Sequence, residues 1–198
     1  MEFNNKSEVL EIVKEDILRI TGEKNRQISL KALESKIKVS DIFLHKAVKE
    51  LKKEGLIHLR QKILELTKSG QERAKVILEK HMVVENYFKK TRNEKEAHQA
   101  AHILEHYISE EAIRNIKKLA TFRKEGTSLI EFELGRETMI SDIVFPELGL
   151  FERIVSMGIF PGERIRIMYK IPDGFVVNVN HKKIALGKDI AKNIEVLG

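Results

Sequence analysis

The chain has 198 residues, 42% of them hydrophobic and 33% charged, with 36 Lys/Arg against 30 Asp/Glu and no cysteine. That length holds one large domain or two to three small ones, and the lack of cysteine excludes disulfides, thiolate zinc ribbons and iron–sulfur clusters. No apolar run approaches the roughly 20 residues of a membrane helix, and MEFNNKSEVLEIVKED lacks the apolar core of a signal peptide, so a cytoplasmic protein with no membrane partner is expected.

The basic excess is uneven: residues 1–80 hold 18 Lys/Arg against 13 Asp/Glu, whereas residues 121–198 hold 11 of each. A polyanion partner for the N-terminal half is one reading of this surplus, and simple solubility is the other. Val9, Ile12, Val13, Ile17, Leu18 and Ile20 mark a first helix ending near Thr21-Gly22. Glu8 and Glu11 lie three apart on one face of it. Ser29 caps a short helix to Ile37, and Ser40 caps a second, DIFLHKAVKELKKEG, that stops at Gly55. Two short helices joined by a tight turn, the second rich in lysine, fit a helix-turn-helix. Leu56–Leu66 follows as a β-hairpin with the basic tip Arg60-Gln61-Lys62, a wing.

In that arrangement the helix after Ser40 enters the major groove of double-stranded DNA. Ser40, His45, Lys46 and Lys49 are then candidates for DNA contact, with Arg60 and Lys62 on the wing. Lys46 and Lys49 also fit an ordinary solvated face, and winged helices also dock proteins.

Residues 71–119 read as nearly continuous helix with one break. Within them, EAHQAAHILEHYIS places His98, His102, Glu105 and His106 on one helical face about 100° wide, at about 100° per residue. Three imidazoles and a carboxylate so placed suit a first-row divalent cation. His81 and Glu85 form a second pair one turn apart in HMVVE. An isolated HxxxH is weak evidence, but Ala97, Ala100, Ala101, Ile103, Leu104 and Ile108 indicate a packed helix, where polar groups need partners. No HExxH, nucleophile elbow, P-loop or dinucleotide glycine motif is present, so no enzyme chemistry is expected.

The polar, glycine-ended segment Thr121–Gly126 is the best linker candidate. Beyond it, short β-rich runs alternate, as in Ile165/Ile167 and Val177/Val179, with turns at Pro161-Gly162 and Pro172-Asp173-Gly174.

The strings LTKSGQERAKVILEKHMVVENYF and EAHQAAHILEHYIS, from Leu66 to Ser109, resemble the LTxxG…RHxLLExFL and EAxxxExxLEHxLS patterns of the diphtheria-toxin-repressor family of iron- and manganese-dependent regulators. The C-terminal RIVSMGIFPG (Arg153 to Gly162) and IALG (from Ile184) resemble the FeoA-like, SH3-type domain. The resemblance implies a multidomain α+β protein. A winged helix-turn-helix spans 1–70, a helical metal-binding and dimerisation domain 71–120, a linker 121–137 and an SH3-like β-barrel 138–198. It further implies a homodimeric repressor that reads a palindromic operator. The implied metal ligands are His81, Glu85, His98, His102, Glu105 and His106, joined by Glu8 and Glu11 from the first helix. His102 stands where iron-type members have Cys and manganese-type members Glu. Asp41-Ile42-Phe43-Leu44 departs from the family's recognition helix, with Ile42 and Phe43 either touching thymine methyls or packing inward. Fe2+ or Mn2+ is the expected effector, with Zn2+, Co2+ and Ni2+ binding in vitro. Two alternatives remain: a winged-helix regulator not gated by metal, and an accessory protein of ferrous-iron transport acting through its FeoA-like domain.

Overall fold

Helix α1 (Lys6–Glu23) turns Leu10, Val13, Ile17 and Ile20 to one side, and these side chains are buried. They belong to the first of two units into which the chain divides, Met1–Lys80 and His81–Gly198. The computed structural model describes residues 6–24, 26–121, 126–145 and 147–198; residues 122–125 of the expected linker lie outside the described residues.

In the first unit α1 runs through Thr21-Gly22 to Glu23, just beyond the expected cap. Gly22 has a packing role instead: a Cβ there would stand 3.2 Å from Ala74 Cβ, so the glycine permits close approach of a neighbouring helix. A short strand β1 (Gln27–Ser29) leads into α2 (Leu30–Lys36), whose N-cap Ser29 accepts from the Ala32 N–H. Helix α3 (Asp41–Lys53) is capped by Ser40, whose Oγ accepts from the Phe43 N–H, and the chain leaves it at Gly55 with φ +72°. Strands β2 (Ile57–Arg60) and β3 (Ile63–Leu66) form the hairpin, and its tip residues Gln61 and Lys62 both have positive φ, as a two-residue primed turn requires. β1 pairs with β3 on the other side, giving the antiparallel order β1-β3-β2. Three residues with one inward side chain, Ile28, are too few for alternation to announce a strand.

Helix α4 (Lys68–Phe88) begins in the first unit and ends in the second. Its start explains the LTxxG string. Thr67 Oγ1 donates to the Gly55 carbonyl and accepts from the Gly70 N–H. A Cβ on Gly70 would lie 1.9 Å from the Leu56 carbonyl oxygen, so only glycine fits.

The helical stretch that the sequence suggested had one break has two. Helix α5 (Glu94–Leu104) is capped by Asn93, whose Oδ1 accepts from Glu96 N–H, and α6 (Glu110–Thr121) has Ser109 Oγ accepting from Ala112 N–H. Side-chain caps that offer the backbone its own acceptors end the preceding helix as well as starting the next. After α6 come β4 (Gly126–Ser128), a 3-10 turn (Leu129–Glu131) and β5 (Glu137–Ile143), so structured elements occupy part of the stretch read as linker. Then follow α7 (Leu148–Ser156), β6 (Arg164–Ile171), β7 (Gly174–Val179), β8 (Lys182–Gly187), α8 (Lys188–Ala191) and β9 (Ile194–Leu197). The antiparallel sheet has the order β4-β9-β5-β6-β7-β8, with register shifts at Ile140/Asp142 and Ile167/Tyr169 that bend it. Ile165, Ile167, Val177 and Val179 are all buried, as their alternation requires. One core joins Phe88, Leu104 and Ile116 of the helices to Ile140, Val155 and Ile165 of the β-rich part. The fold class is the expected mixture: a winged helix-turn-helix, then helices and a small SH3-like sheet.

Candidate functional site

The second unit gathers six of the expected ligands into one network. His81 and Glu85 project from one face of α4, one turn apart. His98 and His102 do the same on α5, whose other face buries Ala97, Ala100, Ala101 and Leu104. Small alanines on that face let the helix seat closely, which fixes where the imidazoles point. Glu105 is the C-cap of α5, and its side chain is excluded from solvent.

His81 is only 5% exposed, and both its ring nitrogens meet carboxylates: Nδ1 lies 2.7 Å from Glu105 Oε2 and Nε2 lies 2.9 Å from Glu85 Oε2. The same Glu85 oxygen is 3.1 Å from His98 Nδ1, and His98 Nε2 is 2.9 Å from His102 Nε2. His102 Nδ1 and His106 Nε2 lie 3.7 and 3.6 Å from Glu105 Oε1. One ligand atom each from His81, His98 and His102 falls within 4.8 Å of the others.

Burial raises the Glu85 carboxyl, but hydrogen bonds from Lys89 and His98 and the charges of His81 and Lys89 outweigh it and hold Glu85 down at about 2. It is therefore a carboxylate throughout the neutral range. Lys89 was not singled out in the sequence. Its Nζ lies 2.7 Å from Glu85 Oε1, and the signal that would have found it is the Glu-to-Lys spacing of four on a helix. Imidazoles and carboxylates at these distances form a donor set that fits a divalent transition cation: nitrogens of intermediate softness with anionic oxygens to balance charge. A cavity of about 430 Å³ lined by Glu111, Asn115, Glu163, Arg164 and Arg166 contains none of this network.

The first unit places Glu8 and Glu11 on exposed positions of α1. Glu11 is already engaged, since the buried Lys14 holds it at 2.8 Å and Glu54 at 2.6 Å. Opposing Lys14's desolvation, which lowers its pKa, these two carboxylates raise it above its ordinary value.

On α3, His45, Lys46 and Lys49 are exposed while Leu44, Ala47, Val48 and Leu51 form the buried face. His45 Nδ1 lies 2.8 Å from the Asp41 carbonyl, which leaves its Nε2 edge outward. Ser40 spends its hydroxyl on the helix cap. Ile42 is 81% exposed, whereas Phe43 packs partly against the core. Arg60 and Lys62 are exposed at the hairpin end.

Residues 67–126 match the family described as iron dependent repressor, metal binding and dimerisation domain, and residues 127–197 match the FeoA domain. Among curated proteins, none matches the chain. The solved structure of a manganese-dependent transcriptional repressor in complex with manganese is 19% identical, with 93% of this chain and 99% of that one covered and a TM-score of 0.50. That of T. acidophilum IdeR is 18% identical, with 100% and 99% covered and a TM-score of 0.45. At this identity the likeness to the first of these concerns the fold. By the two matched regions, the chain carries the metal-binding and dimerisation domain of iron-dependent repressors followed by a FeoA domain.

Proposed function

We propose that the chain is a metal-dependent, DNA-binding transcriptional regulator: a cytoplasmic homodimer that represses metal-homeostasis genes from a palindromic operator and performs no enzyme chemistry. The observation that carries this reading is the convergence of His81, Glu85, His98, His102 and Glu105 within the region matched to a metal-binding domain. When bound, a divalent cation such as the Fe2+ or Mn2+ that the resemblance implies supplies the positive charge that these carboxylates and lone pairs lack. His81 and Glu85 hold α4, and His98 and His102 hold α5, so filling the site ties the two helices together. Glu105 and His106 are further candidate ligands beside them, and Glu8 and Glu11 are the candidates from the first unit.

α4 is one continuous helix that carries Ala74 and Ile77 in the first unit's core and His81 and Glu85 in the second unit. A constraint on its second half therefore acts on the element on which the winged helix is built. Ser40, His45, Lys46, Lys49, Arg60 and Lys62 are the residues proposed to meet DNA, with the lysines on phosphates and the start of α3 at base edges. Metal binding selects the DNA-competent state by the difference in its affinity for the two states.

The test is a mobility-shift titration of upstream duplex DNA against divalent metals, with and without chelator. Retardation is expected only with metal, and His106→Ala is expected to remove the metal response while the fold is retained. Binding that persists unchanged in chelator would favour a regulator not gated by metal. Loss of all duplex affinity at low salt would favour action through the FeoA domain instead.

A further inference from the structure

The three clustered imidazoles share an arrangement that the family resemblance does not imply. Each ring turns Nδ1 to a carboxylate: His81 to Glu105 Oε2 at 2.7 Å, His98 to Glu85 Oε2 at 3.1 Å, and His102 towards Glu105 Oε1 at 3.7 Å. The opposite edges of His98 and His102 meet each other, and that of His81 meets a carboxylate. His98 Nε2 stands 2.9 Å from His102 Nε2, His81 Nε2 is 2.9 Å from Glu85 Oε2, and the ring centroids lie 4.3 to 5.1 Å apart. A carboxylate that accepts from Nδ1–H fixes the tautomer that leaves Nε2 as a lone pair and makes that nitrogen more basic. Converging lone pairs repel one another unless a proton or a cation lies between them.

The geometry points to a single tri-imidazole site, built from Nε2 of His81, His98 and His102, that takes a nitrogen-preferring cation of the zinc class ahead of manganese. Glu105 holds the rings from behind in place of ligating, and Glu85 stands beside the remaining position. This inference rests on the metal-dependent reading above and changes one role within it: Glu105 becomes a positioning residue. The reason is chemical. Imidazole suits zinc, copper, iron and nickel, whereas manganese favours carboxylate and carbonyl oxygen. Three histidines with a fourth position left open is a common way to hold zinc. Glu105 is fully enclosed and already committed to His81.

The experiment uses the full chain, titrated with ZnCl2 and MnCl2 against a chromophoric chelator, together with X-ray absorption of the zinc-loaded protein to count imidazole ligands. Zinc outranks manganese at most nitrogen-containing sites, so the deciding quantity is how His102→Glu changes the zinc-to-manganese ratio. Three imidazoles are expected around zinc in the unaltered chain. His102→Glu should leave two and lower the ratio about tenfold or more, and Glu105→Gln should cost about 10–100-fold in affinity without changing the imidazole count. Two imidazoles in the unaltered protein, which needs no variant to fold, would overturn the assignment. So would an unchanged ratio in His102→Glu, or the loss of an oxygen ligand in Glu105→Gln. Operator binding is measured separately. Zinc held by three imidazoles with DNA indifferent to every metal would sink the regulator and leave the site standing. A metal-responsive operator complex with two imidazoles on zinc would do the reverse.

Discussion

The α3 surface of the first unit and the imidazole network of the second use polar side chains in opposite ways. His45, Lys46 and Lys49 stand apart on an exposed helix face, and their positions depend on the cap at Ser40 and the buried stripe opposite. His81, Glu85, His98, His102 and Glu105 are held by one another, with His81 and Glu105 almost wholly enclosed. Exposed groups act nearly independently, while groups in one buried network couple. Damage should therefore be graded in the first region and abrupt in the second.

The largest effect is expected from His81→Ala. It removes the ring that both Glu85 and Glu105 contact and leaves an enclosed carboxylate without this partner, so metal affinity should fall by about 100-fold or more, beyond the usual cost of losing an outer-shell partner. Chelator competition measures it, and undiminished affinity would dissolve the contrast between the two regions. Gly70→Ala tests the scaffold beneath the first region. Its Cβ meets the Leu56 carbonyl at 1.9 Å, and urea unfolding should show a loss of about 3 kcal/mol; a smaller change would mean that the turn before α4 yields easily.

The Lys46→Ala, Lys49→Ala double variant should weaken binding to all duplexes alike and reduce the salt slope by about 2, near 1 for each phosphate no longer neutralised. A sequence-selective loss would instead place these lysines on bases. Ser40→Ala should cost about 1 kcal/mol of stability through removal of the cap. Any larger drop in DNA affinity than in stability would give the hydroxyl a contact of its own. The smallest effect is a pH dependence of the metal-free protein. Glu85 is held at about 2 against an ordinary 4.5, so its stabilisation is present above about 4.5 and lost as pH falls towards 2. Glu85→Gln should flatten that acid limb in unfolding midpoints measured across pH. An unchanged limb would show that other carboxylates govern it.

Much of the fold is legible in the chain itself. Ser29, Ser40 and Gly55 punctuate the helices where their side-chain oxygens and positive φ require. The buried Ile165, Ile167, Val177 and Val179 follow period two. These features depend on a few neighbouring residues, so local chemistry suffices to read them. β1 is not legible in this way, because its partner β3 lies about 36 positions further along the chain, beyond any window in which periodicity is read. Gly22 misleads for a related reason. A glycine that admits a neighbouring helix looks, in sequence, like a glycine that ends its own.

The candidate site divides in the same manner. The residue types and their spacings on α4 and α5 were determined by the sequence, because helical period alone puts His81 with Glu85 and His98 with His102. Which carboxylate faces which ring, that Lys89 and Lys14 hold Glu85 and Glu11, and that Ile42 turns out while Phe43 turns in, were decided only by the tertiary structure. Those choices depend on how closely two elements approach and which side chains are thereby shut away from water, and neither quantity is a property of one segment alone.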